Sequence, residues 1–244
     1  MALEHQRVVI TAAGRDFGRT LALSFAARGA EVHLSARTTE AAARVREEII
    51  KQGHDPARVH AHACDLTDPA SVRAFAAAVA ALSGHIDVLV NNGARYQHGP
   101  DLLSASDEDV VETLASGATG TVLVTKAFLP LLLESDRPDI VTMVSTCGEH
   151  GNHRSDAHDA FYAAKSAQAG FTETLSRRLR GRGVRVISLY PPDFDNHDPL
   201  SPAWEDAPRT AKDPLTAQSL VDCVFFAIGQ PRDCFIKAFH FEQV

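Results

Sequence analysis

Only four cysteines occur in the 244 residues, Cys64, Cys147, Cys223 and Cys234, and none forms a Cys-x-x-Cys pair. That scarcity excludes a disulfide framework and a thiolate metal knuckle, and leaves free thiols in a reducing compartment as the expectation. Positive charge is also short: 24 Lys and Arg stand against 31 Asp and Glu, a net charge of −7. The balance argues against a nucleic-acid or anionic-membrane surface as partner, but is silent about a small phosphorylated cofactor met by local charges. No apolar run reaches the ~18 residues of a membrane span. No cationic start followed by an apolar run precedes the first strand, and no repeat or low-complexity segment appears. With 45% apolar and 23% charged residues, the chain reads as a soluble, cytoplasmic globular protein with no nucleic acid and no membrane as partner.

Short β-rich runs alternate with long Ala-rich amphipathic ones. Strands are predicted at Arg7–Ala12, Glu31–Ala36, Val59–Cys64, Ile86–Val90, Ile140–Ser145, Val184–Leu189 and Cys234–His240. Helices are predicted at Phe17–Arg28, Thr38–Gln52, Pro69–Leu82, Asp107–Leu133, Asp159–Gly181 and Leu215–Ile228. Near-continuous apolar strands in such alternation predict α/β architecture: a doubly wound, Rossmann-like parallel sheet in a single domain over 1–244. The one long irregular stretch, 191–213, carries five prolines and reads as a substrate loop or lid.

Sheets of this kind bind ligands beyond the carboxyl ends of their strands. After the first strand, Thr11-Ala12-Ala13-Gly14-Arg15-Asp16-Phe17-Gly18 forms a glycine-bearing turn into a helix, which offers backbone N–H groups and a dipole to a pyrophosphate. Arg37 ends the second strand where a residue for the adenosine ribose is needed. Together with Arg15 it suits a 2′-phosphate, and no acidic residue stands there for a free 2′-hydroxyl.

Six ordered matches make the chain similar to the short-chain dehydrogenase/reductase family. Thr11 to Gly18 resembles the family's Thr-Gly-x-x-x-Gly-x-Gly turn. Asp65, followed by Leu66, matches the adenine-contacting aspartate. Asn91-Asn92-Gly93-Ala94 resembles Asn-Asn-Ala-Gly with its last two residues exchanged. Ser145, three before Gly148, matches the catalytic serine, and Lys165 ahead of Gly170-Phe171 matches the catalytic lysine. Tyr190-Pro191-Pro192 stands where the substrate loop begins. The resemblance implies NADP(H) as cofactor, held by Gly14, Arg15, Phe17, Gly18, Arg37, Asp65, Leu66, Asn91, Gly93, Lys165 and Pro191. It also implies a small carbonyl or alcohol substrate, and a homodimer or homotetramer built on the helices near 107–133 and 159–181.

The departures are as informative. Ala12 and Asp16 replace two glycines of the turn, Gly117 stands in the asparagine slot, and Pro192 replaces a loop glycine. Phe161, four before Lys165, occupies the slot of the tyrosine that supplies the proton. Ser145 and Lys165 can keep the roles the resemblance implies, bonding the carbonyl oxygen and holding the nicotinamide ribose; Phe161 has no exchangeable proton. Tyr162, three before Lys165 on a helix, is one candidate donor, although one residue turns its side chain by ~100°. The segment 149–159 supplies others, His150, His153 and His158, in a spacing that matches no compact metal site; protonation by water or by the substrate is a third route. A reductase fold without dehydrogenase activity, such as an NADP(H) sensor, a silent partner in a hetero-oligomer or a non-redox catalyst, is the alternative. Tyr190, Phe194 and Trp204 around the 191–213 loop point to an apolar or aromatic substrate.

Overall fold

The computed structural model describes residues 3–93, 95–99, 101–152 and 154–242. Seven strands form one parallel sheet: β1 (Arg7–Ile10), β2 (Glu31–Ala36), β3 (Val59–Ala63), β4 (Val88–Asn91), β5 (Asp139–Met143), β6 (Arg185–Tyr190) and β7 (Ala238–His240). Their spatial order is β3-β2-β1-β4-β5-β6-β7, with every pair parallel. The order reverses between β1 and β4, so the crevice that such sheets use for ligands opens beyond Ile10 and Asn91.

The helices are α1 (Asp16–Ala27), α2 (Thr39–Lys51), α3 (Pro69–Leu82), α4 (Asp107–Leu114), α5 (Gly120–Leu133), α6 (Asp159–Leu179), α7 (Pro202–Asp206) and α8 (Ala217–Gly229). Polar side chains cap several starts: the Asp68 carboxylate accepts from the Ala70 and Ser71 N–H groups, and His158 Nδ1 accepts from the Ala160 N–H. Apolar residues fill both faces of the sheet. Leu21, Phe25, Ile49, Val224 and Ile228 cover one, and Val72, Phe75, Val124, Phe128 and Leu132 the other. Paired phenylalanines anchor each layer, Phe25 with Phe225 at 4.8 Å and Phe75 with Phe128 at 5.0 Å between ring centroids. Truncating a fully buried one such as Phe128 to alanine costs about 3–5 kcal/mol.

Two expectations need correction. The last strand is three residues rather than seven: Ala238–His240 pairs with Ser188–Tyr190, while the Cys234 carbonyl accepts from the Arg185 guanidinium. The second concerns apolar length: Asp107–Leu133 is helical throughout and, at mean hydropathy 1.4, is long and apolar enough to cross a membrane by those criteria. In this fold it covers the sheet with Val124, Phe128 and Leu132. It is also interrupted by one π-helical turn at Ala115–Thr119, a device that recurs at functional sites.

Candidate active site

The turn after β1 keeps a glycine-like conformation without the glycines. Ala12 has φ 51° and Asp16 φ 48°, both in the left-handed region. An alanine there costs about 1–2 kcal/mol, and an aspartate is tolerated better. Close packing accounts for the conformation: a Cβ on Gly18 would run into the Ala12 carbonyl, and the Ala13 N–H is tied to the Ser35 carbonyl at 2.6 Å. The Asp16 side chain turns outward against Arg15, 3.4 Å away, with both largely exposed. Ala12→Gly is therefore expected to stabilise the fold by about 1 kcal/mol, read as a higher urea midpoint at unchanged slope.

On the adenosine side, Gly14 lies against Ala36 and Gly93 against the Leu66 side chain. Burial pushes the Asp65 carboxyl up, but hydrogen bonds from the Thr67 N–H and hydroxyl, at 2.8 and 2.7 Å, hold it below the usual carboxylate range. Arg37 is mostly exposed and donates to Glu112 at 2.8 Å, whose other oxygen is taken by Arg95. Both guanidiniums expected near a 2′-phosphate are thus at the surface, each facing a carboxylate. Of the asparagine pair, Asn91 points into the core and donates to Thr125 Oγ1 at 3.0 Å, whereas Asn92 reaches the cleft.

At the carboxyl ends of β4 and β5 lies a cavity of about 190 Å³ walled by Phe17, Asn92, Ser145, Lys165, Pro191 and Phe194, with Tyr96 and Phe161 side by side. Ser145, two residues beyond β5, has φ 80° and ψ 153°, a region populated almost only by glycine. Its N–H is fixed on the Leu189 carbonyl at 3.2 Å, and its hydroxyl oxygen accepts from the Cys147 N–H at 3.3 Å.

Lys165 lies beneath this floor. Its ammonium donates to the Met143 carbonyl at 2.6 Å and to Gln168 Oε1 at 3.1 Å. Gln168, fully buried, was not singled out by sequence. Its amide nitrogen donates to the Gly117 carbonyl at 3.0 Å and to Thr121 Oγ1 at 2.8 Å. Gly117 sits in the π turn, so the Gln168 side chain ties α6 to that turn. A polar residue three after Lys165, on a face otherwise buried, was the available signal.

Burial pulls the Lys165 ammonium down from 10.5 to about 8, with the Cys147 side chain acting in the opposite direction. The native pKa lies below the unfolded one, so between pH 8 and 10.5 the unfolded chain holds a proton that the native chain has lost. Stability should rise with pH across that window, by about 3 kcal/mol from this group. Urea unfolding at several pH values should show that rise in the wild type and lose it in Lys165→Met.

The donor candidates from sequence fall elsewhere. α6 runs without a bulge from Asp159, and the Tyr162 phenol is turned to the 155 loop, accepting from the Ser155 N–H at 3.0 Å and donating to its carbonyl at 3.2 Å. Phe161, not Tyr162, forms cavity wall, with its ring 5.3 Å from Lys165 Nζ. His150 lines a separate groove with Tyr190 and His240, and His158 is the buried cap of α6; His153 lies outside the described residues. Of the three aromatics expected around the substrate, only Phe194 walls the cavity, edge-on to Phe17 at 5.3 Å. Tyr190 stacks on His240, and Trp204 lines a cleft between α1 and α8.

Sequence reasoning missed Tyr96. Its ring meets Phe161 edge-on at 5.0 Å, and its phenol bonds the Ser155 side chain. Burial, then the charges of Asp193, Cys147 and Asp156, push its pKa up, so the phenol stays protonated at neutral pH. Its signal was position, as the tyrosine of the loop after Asn92.

Comparison with known proteins places the chain by family and fold. The family model for short chain dehydrogenases matches residues 6–202. A D-threitol dehydrogenase of Mycolicibacterium smegmatis is 33% identical over 190 residues, covering 78% of this chain and 70% of that protein. Two further relatives, 34% and 32% identical, are matched over 41% and 65% of their lengths. Among solved structures, a metagenomic short-chain oxidoreductase in complex with NADP superposes with TM-score 0.80 at 28% identity, over 98% of this chain and 97% of that one. A 3-ketoacyl-(acyl-carrier-protein) reductase of Brucella melitensis complexed with NADH gives 0.81 at 26%, over 97% and 96%. The left-handed turn after β1, the serine after β5 and the buried lysine of α6 thus occur in a chain that belongs to the short-chain dehydrogenase/reductase family.

Proposed function

We propose that the chain is an NADP(H)-dependent oxidoreductase acting on a carbonyl/alcohol pair, with Tyr96 as proton donor in place of the residue at 161. One observation carries the reading: Ser145 and Tyr96 line a single cavity at the carboxyl ends of β4 and β5, with Phe17, Asn92 and Lys165 in its wall. The residues present fit a dinucleotide. The turn after β1 retains its left-handed residues, and Arg15 and Arg37 are exposed beside it, where they would meet a 2′-phosphate. When bound, the cofactor supplies or accepts a hydride. Ser145 donates a hydrogen bond to the carbonyl oxygen, and Tyr96 passes its proton to that oxygen as alkoxide charge develops, an alkoxide being far more basic than a phenolate.

The same reading expects a cytoplasmic homodimer or homotetramer, since Val111 and Val122 are left exposed along 107–133. The second reading, a reductase fold without redox activity, is favoured by the Lys165 ammonium, which already has two protein acceptors in Met143 and Gln168. Carbonyl-dependent loss of NADPH absorbance separates the two. The panel should include aromatic ketones, ketoses related to the threitol dehydrogenase's substrate and 3-oxoacyl thioesters. Turnover of any class supports the first reading; NADPH binding without turnover of any supports the second.

A further inference from the structure

At the edge of the sheet, toward the amino ends of β2 and β3, lies a cluster that the proposed chemistry does not use. β2 and β3 pair with His33 opposite His60 and Ser35 opposite His62, and Glu31, two before His33, shares its face. Glu31 Oε1 is 3.3 Å from His33 Nε2 and 3.4 Å from His60 Nε2. All three ligand atoms lie within 4.8 Å of one another.

We propose that Glu31, His33 and His60 form a binding site for a divalent transition metal of the zinc class, separate from the active site. Spacing is the first argument: a tetrahedral ion with bonds of about 2.0–2.1 Å holds its ligand atoms about 3.3–3.4 Å apart, and both glutamate–histidine separations have this value. The second is the support of the ligands. His33 Nδ1 faces His62 Nε2 at 3.3 Å, so an Nδ1–H donated there leaves the His33 Nε2 lone pair for the ion, the outer bond that metal-bound histidines make. Ser83 Oγ stands 3.1 Å from both Glu31 Oε1 and His33 Nε2, and Arg7 holds the other carboxylate oxygen at 3.3 Å. The third is an unmet polar atom: His60 Nε2 is buried and makes no hydrogen bond, its contact with Glu31 Oε1 at 3.4 Å falling outside hydrogen-bond geometry, a costly state that coordination relieves.

Two imidazoles and one carboxylate suit zinc, cobalt, nickel or copper; calcium and magnesium prefer all-oxygen sets. The His33 and His60 rings stack at 4.5 Å, so closure requires His60 to rotate. It sits on the edge strand β3 with its side chain about one-fifth exposed, as is that of Glu31, which gives the ion an entry and leaves a coordination position for water or Ser83.

The test uses the full chain stripped with a chelator, then dialysed against Zn²⁺ or Co²⁺. The expected result is one equivalent of metal per chain and a melting temperature raised by about 5–10 °C at a hundredfold excess over Kd. Both effects should vanish in His60→Ala and Glu31→Gln and persist in His150→Ala. X-ray absorption on the wild-type zinc form, which needs no variant to fold, should show two imidazole ligands and oxygen. Absence of stoichiometric binding, its retention in both variants, or thiolate in the zinc shell would overturn the proposal.

Discussion

Tyr96→Phe is expected to lower carbonyl-dependent NADPH oxidation by about two to four orders of magnitude, the usual contribution of a positioned general acid. NADPH affinity should be little changed, because the phenol serves the substrate oxygen. The structure also supplies the converse experiment. Phe161 stands edge-on to Tyr96 and lines the same cavity beside Lys165, so a hydroxyl added by Phe161→Tyr restores a proton in the slot the family uses. The double variant Tyr96→Phe/Phe161→Tyr should regain at least about tenfold over Tyr96→Phe alone, since either phenol can then act as general acid. Tyr162→Phe should have little effect on turnover, its phenol being held by the Ser155 main chain. A collapse in Tyr162→Phe with an unchanged Tyr96→Phe would reverse the assignment.

The second large effect concerns Ser145, where stability and activity should move in opposite directions. Its backbone, at φ 80° and ψ 153°, carries strain on the order of 1–3 kcal/mol that glycine would relieve. Ser145→Gly should therefore stabilise the protein by about 1 kcal/mol, after the extra chain entropy of glycine, raising Tm by about 2–4 °C. It should also lose about 10²–10³ in kcat with the hydrogen bond to the developing alkoxide. Ser145→Ala should lose the same activity without the gain in Tm. The contrast separates strain from chemistry, and thermal melts paired with steady-state assays of the two variants read both.

Much of this was legible in the sequence. Alternating apolar strands and capped helices indicated the parallel sheet, and the ordered motifs indicated the family. Backbone requirements were legible too: Ala12 and Asp16 stand where glycine was expected, and both take positive φ. What escaped were contacts made across the fold. Gln168 reaches Gly117, 51 residues away; its polarity on a buried face was visible in the sequence, but its partner in the π turn was not. Tyr96 meets Phe161 because the loop after β4 folds over the start of α6, a tertiary fact. The helical phase, by contrast, warned that Tyr162 points away from the cavity, since one residue turns a side chain by ~100°. The start of the shortened β7 likewise involves a distant side chain, since the Cys234 carbonyl accepts from the Arg185 guanidinium.

Titrating the purified chain with NADPH, and in parallel with NADH, by the change in cofactor fluorescence tests the central claim most directly, because it requires no substrate. Saturable micromolar binding with a clear preference for NADPH, weakened by Arg37→Ala, is the predicted result. No saturation with either dinucleotide would contradict the account, for it would mean that the alanine and aspartate in the turn after β1 have closed the site on which the redox reading depends.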